Sequence, residues 1–237
     1  MAQATGTAIT TMPTEAGLPL LRLLHLVSPS LPIGAFTYSQ GIEWAVEAGW
    51  IRDAADLQEW LADQLDTTLA RLDLPLLLRL QRAAADDDRQ RLRHWSELLL
   101  AYRETGELRQ EEINRGRALA ELLPKLELAD AVAWRTELAR CQLAGFAFAA
   151  ARWQIGEVAA LQGYAWAWLE NLVLAAVKII PLGQSQGQQV LQRLTAALPT
   201  AVQTALALSD EELGAGNPAL AIASSRHETQ YTRLFRS

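Results

Sequence analysis

Hydrophobic positions recur along this chain at three- and four-residue intervals and almost never alternate, so the pattern predicts helices and no sheet. Leu20, Leu21, Leu24 and His25 mark a first amphipathic helix, stopped by Ser28-Pro29. The stretch SPSLPIGAFTYSQG, with two prolines and two glycines, reads as a long structured loop. A short helix is predicted from Tyr38 to Ala48, ended by Gly49. Asp53 looks like the N-cap of a helix carrying Leu57, Trp60, Leu61, Leu65 and Leu69. Pro75 suits the first turn of another helix, through Ala85. After the link Asp86-Asp87-Asp88, a helix runs to about Arg103, and Thr105 caps one from Glu107 to Leu123, ended by Pro124. Longer helices are predicted from Asp130 to Trp153 and from Glu157 to Ile180. Pro181-Leu182-Gly183 breaks the chain, Ser185 and Gln188 form a capping box, and two further helical segments fit before Ser209.

The expected architecture is all-α: a single-domain bundle of about 8–10 helices over residues 18–208, with flexible ends. A small, polar leader (1–17) precedes it, and an exposed acidic linker (209–217) separates it from a tail over 218–237.

Composition narrows the functional classes. Half the residues are hydrophobic and a fifth charged, enough for a core without disulfides or metal. A net charge of −6 argues against general nucleic-acid binding. The run from Val158 to Ile180 is interrupted by Gln162, Glu170, Asn171 and Lys178, so it reads as a buried helix rather than a membrane span. One cysteine, Cys141, fits a reducing compartment, and the chain reads as soluble and cytoplasmic.

Candidate chemistry is sparse. His25, His94 and His227 lie far apart, and none has a second ligand at metal-binding spacing. Cys141 sits in an apolar helical context, where a thiol is a small hydrophobe. LGQSQGQQ lacks the Lys-Ser/Thr ending of a phosphate loop. Glu43 and Glu47, one turn apart beside the loop, could act as acid and base or be an ordinary surface pair.

Two segments stand out. The loop and short helix carry Phe36, Tyr38, Trp44 and Trp50, which either form an interaction surface or close one end of the core. The tail NPALAIASSRHETQYTRLFRS is basic and aromatic, and a helix through it would place His227, Tyr231 and Leu234 on one face beside Phe235. That composition favours partner binding over a frayed end or a helix packed on its own domain.

Four blocks carry a family resemblance: SPSLPIGAFTYSQGIEWAVEAGWI, ELRQEEINRGRALAELL, NLVLAAVKIIPLGQSQGQQVL and ASSRHETQYTRLFRS. In order and register from about Leu20 onward, they resemble the UreF family of urease accessory proteins. The resemblance implies an all-α adaptor without catalysis or a cofactor of its own, nickel being handled by the assembled complex. It implies partnership with UreD/UreH, with the GTPase UreG and with the urease apoprotein, gating of GTP hydrolysis during nickel insertion, and a homodimer within the complex. By position, Arg226, His227, Tyr231, Arg233, Leu234, Phe235 and Arg236 are expected to bind UreD/UreH. Tyr38, Gln40, Glu43 and Lys178 are expected to face the GTPase, and the helix from Leu161 to Val177 to serve dimerisation. Two alternatives stay open: an all-α enzyme or small-molecule binder with a pocket near Tyr38 and Glu43, and a direct nickel carrier using the three histidines.

Overall fold

The computed structural model describes residues 17–214 and 216–237, so the expected leader lies outside the described residues except for Gly17. Regular structure among these residues is entirely helical. In order, the segments are α1 (Leu18–Leu26), α2 (Ile42–Glu47), α3 (Ala54–Gln64), α4 (Leu74–Ala85), α5 (Arg89–Tyr102), α6 (Gly106–Leu122) and α7 (Arg135–Leu138). There follow α8 (Gln142–Arg152), α9 (Glu157–Ile179), α10 (Gln184–Thr195), α11 (Leu198–Ala207) and α12 (Pro218–His227).

At the centre, α4 and α8 are buried nearly all round. Residues Gln142–Ala150 of α8 are all buried, and its alanines and Gly145 let α6 approach closely. The amphipathic helices α5, α6 and α11 cover this pair with one apolar stripe each, while α10 packs on α9 and α3.

Several caps fall where the sequence puts them. Asp53 accepts from the Ala55 and Asp56 N–H groups, and Thr105 Oγ1 accepts from Leu108 N–H. Asp88, the last residue of the acidic link, caps α5 through Arg91 N–H. At the start of α10 the cap is Gly183, not Ser185: Gln186 Oε1 accepts from Gly183 N–H.

Other expectations change. Pro75 does not open a new helix, because α3 and α4 are one continuous helix joined by a π-helical segment, Leu65–Asp73. Pro75 has no N–H to give the Arg71 carbonyl. The wider π turn accommodates the ring, and the Arg71 carbonyl accepts from Gly214 N–H instead. The expected long helix from Asp130 to Trp153 is broken into a 3-10 stretch (Ala129–Trp134), α7 and α8. The break is imposed from outside: Glu112 Oε2 accepts from Gln142 N–H at 3.2 Å, and α6 packs so tightly that a Cβ on Gly116 would stand 2.6 Å from the Cys141 carbonyl carbon. In the acidic segment Ser209, Asp210, Glu211 and Glu212 are exposed as expected, but Leu213 and Asn217 are buried, Asn217 Nδ2 donates to Asp63, and Asp210 pairs with Arg79.

Candidate functional site

The segment after α12 folds back over α2 and α6, and this is where the structure collects the residues singled out by sequence. The helix expected through Phe235 stops at His227, because the backbone beyond it is claimed by side chains from other elements. Glu43 on α2 is buried and accepts from Leu234 N–H at 2.6 Å, from Phe235 N–H at 2.9 Å, and contacts His227 Nε2 at 3.2 Å. His227 is fully buried, and its Nδ1 lies 2.7 Å from Glu107 Oε2. A neutral imidazole can donate to only one of these two carboxylates. Glu107 also accepts from Arg233 Nη1 at 2.8 Å.

The last residues close the same seam. Ser39 donates to the Ser237 O through both N–H (2.6 Å) and Oγ (2.5 Å), and Arg236 N–H donates to the Thr37 carbonyl. Ser237 Oγ reaches Glu111 Oε2. Glu111 in turn accepts from Gln40 Nε2 at 3.1 Å and from Arg115 at 2.8 Å, and Gln40 Oε1 accepts from Trp168 Nε1. Burial pushes the Glu111 carboxyl above its ordinary range, with Arg115 opposing the shift. Asn114 donates to the Tyr38 hydroxyl, which holds the loop onto α6.

Glycine makes this approach possible. Gly41, the N-cap of α2, has φ +79°, and a Cβ there would meet Ala223 Cβ at 3.0 Å and Ser224 N at 3.2 Å. One residue on, Ser224 Oγ bonds Thr105 Oγ1 at 2.7 Å.

The candidates that the sequence divides between two surfaces thus lie side by side. Tyr38 and Glu43 are buried beneath the folded-back segment, Gln40 is half-buried, and Lys178 is exposed with Nζ 5.8 Å from the Phe235 ring centre. Phe235 and His227 face inward, whereas Arg226, Tyr231, Leu234 and Arg236 are exposed, Tyr231 fully so. Nearby Phe36 and Trp50 are exposed as well, and Trp44, Trp50, Ile222, Arg226 and Tyr231 border an open groove of about 530 Å³. Sequence reasoning did not single out Ser39, Glu107 or Glu111. Only their distant partners give them a role, and no local pattern carries that signal.

The pocket imagined near Tyr38 and Glu43 is filled by the chain's own last residues. Two small cavities beside Arg115, Gln142 and Tyr164, one of them also touching Gln40, measure about 30 and 20 Å³, each room for a single water. Small-molecule sites run to roughly 300–1,000 Å³. Among the described residues no group of three His, Cys, Asp or Glu side chains could hold a metal ion, and no helix is long and apolar enough to cross a membrane. His25 and His94 are exposed and remote from His227 in sequence. The Cys141 thiol is fully buried, and desolvation pushes it up to about 12.

Comparison with known proteins places this geometry in context. The UreF family model matches residues 51–195. The "Urease accessory protein UreF" of Alcanivorax borkumensis is 54% identical over 222 residues, covering 91% of this chain and 97% of that protein. Its namesake in Pseudomonas putida F1 is 56% identical over 223 residues, covering 94% and 100%. That of Azoarcus sp. BH72 is 50% identical over 234 residues, covering 97% and 100%.

Proposed function

The chain belongs to the UreF family of urease accessory proteins, and from that premise we propose that it is a non-catalytic, cytoplasmic adaptor bridging UreD/UreH and the GTPase UreG during nickel insertion into apo-urease. The observation that carries the reading is the folded-back segment. Its backbone is locked onto buried Glu43 and Ser39, while Arg226, Tyr231, Leu234 and Arg236 project outward beside Phe36. A fixed edge of aromatic, apolar and arginine side chains is what a high-affinity protein interface uses. It also loses little conformational entropy on docking. UreD/UreH is assigned to that edge. Of the four residues assigned to the GTPase, Lys178 and Gln40 can touch a partner, whereas Tyr38 and Glu43 act by supporting the surface.

The homodimer contact moves away from the helix over Leu161–Val177. That face of α9 is spent on the chain's own core, with Leu174 its exposed large apolar residue. By contrast, α1 exposes Leu18, Leu20, Leu21 and Leu24 together, an unusual cost for a surface helix and a fitting self-association face.

The test is co-purification with UreD/UreH and UreG. Deleting everything from Ser224 is a poor probe, since Ser224, His227, Phe235 and Ser237 are buried and their loss would uncover Glu43 and Glu107. The pair Tyr231→Ala and Leu234→Asp alters only exposed side chains. Loss of UreD/UreH binding with an unchanged melting temperature supports the reading, and retention of the complex removes the edge from the interface. Gating of GTP hydrolysis is read separately, as the rate of the UreG-containing complex with Lys178→Ala.

A further inference from the structure

Beneath α6, two carboxyl groups share one guanidinium nitrogen in a closed core. Arg103 Nη2 lies 2.7 Å from Glu112 Oε1 and 2.9 Å from Asp73 Oδ1. All three residues are at least nine-tenths buried. Glu112 is well supplied as an ion, with the Arg103 donor on one oxygen and Gln142 N–H on the other. Asp73, the last residue of the π segment, is not: Oδ1 is off the donor direction of Arg103 and has no hydrogen bond. The neighbouring pair Glu111–Arg115 is balanced within itself.

Other charges do not rescue Asp73. From α6 it faces Glu111 and Glu112, both negative, and from α9 the neutral Tyr164 hydroxyl. Arg109 is turned to the Arg103 carbonyl, Cys141 at the start of α8 is a neutral thiol, and α11, packed against the π segment, has no titratable side chain. With both acids ionised, the site would hold one uncompensated negative charge out of water, which proteins avoid by binding a proton.

We propose that Asp73 holds this proton in the folded chain, making the joint between the π segment and α6 a built-in pH-sensitive element. Desolvation, opposed by Arg103 and reinforced by Glu112, raises the Asp73 carboxyl from 3.8 to about 6. An acid that binds its proton more tightly folded than unfolded stabilises the fold fully below 3.8. That stabilisation is lost as the pH rises towards about 6. Above that range the charge sits under the helix whose Glu107 and Glu111 hold the folded-back segment.

The experiment is urea unfolding of the full chain from pH 4 to pH 8, for wild type and Asp73→Asn. Asp73→Asn is expected to gain on wild type by up to about tenfold in folding constant per pH unit between 4 and 6, and to keep that lead above. Parallel pH profiles would overturn the proposal. If the variant does not fold, wild type labelled with carbon-13 at the aspartate carboxyls decides by NMR. One aspartate titrating well above the rest upholds the assignment, and all titrating together in the ordinary range refutes it.

Discussion

Replacing Glu43 with Gln separates the charge and acceptor roles of this side chain from its size. In the native site Oε1 accepts Leu234 N–H, and Oε2 accepts Phe235 N–H beside His227 Nε2. A glutamine has one oxygen and one NH2 group, so in either orientation one buried backbone N–H faces another donor. An unsatisfied buried donor costs about 1–3 kcal/mol, and losing a charged acceptor for the remaining bonds adds to that. The chain can escape this cost by releasing residues 228–237 to water, so the penalty falls first on local opening. Opening should become roughly 5- to 150-fold more populated, the equivalent of 1–3 kcal/mol. Amide hydrogen exchange followed by mass spectrometry reads this directly. Protection at Leu234 and Phe235 should fall by that factor, while α4 and α8 keep theirs. Unchanged protection at both amides would refute the view that Glu43 anchors the segment, and uniform loss across α4 and α8 would show it to be a general core residue.

Three further outcomes follow from the packing. Gly41→Ala should cost about 1–3 kcal/mol in urea unfolding, from the positive φ and from contact with Ala223 and Ser224. Gly116→Ala should be worse, because the new methyl meets the Cys141 backbone rather than a side chain that can turn away. Loss of several kcal/mol, or insoluble protein, is expected on expression, and a near-wild-type melting temperature would contradict the close approach of α6 and α8. Cys141 should react with thiol reagents only as fast as the protein opens, since its thiol is buried and raised to about 12. Labelling within seconds under native conditions would disprove its burial.

What could be read from the sequence was what is decided locally. Asp53, Asp88 and Thr105 cap because the acceptor and the amide that it serves lie within three residues. The apolar run of α9 needed no partner to be recognised as buried helix. The break before α8 could not be seen, because Glu112 and Gly116 impose it on a stretch whose own alanines favour helix. Nor could the continuity of α3 into α4, since the carbonyl that Pro75 leaves without its helical donor finds one at Gly214, far along the chain. The candidate residues were named but assigned to two surfaces, because nothing in the spacing of Glu43 and His227 reveals that a single carboxylate serves residues nearly two hundred positions away.

That separation bears on when the protein becomes competent. Ser39 and Ser237 are 198 positions apart, and Glu43 reaches its amides across 191 and 192. Contacts of such span contribute nothing until both ends exist, so helices α3 to α9 can assemble while the chain is still being synthesised. The seam cannot. Until residues 234–237 have been made and folded back, Glu43, Ser39 and Glu107 line an empty trough, and the edge proposed for UreD/UreH has no backbone to stand on. A chain still lacking residues 234–237 would be helical yet unable to offer that edge, so assembly with partners would wait for them.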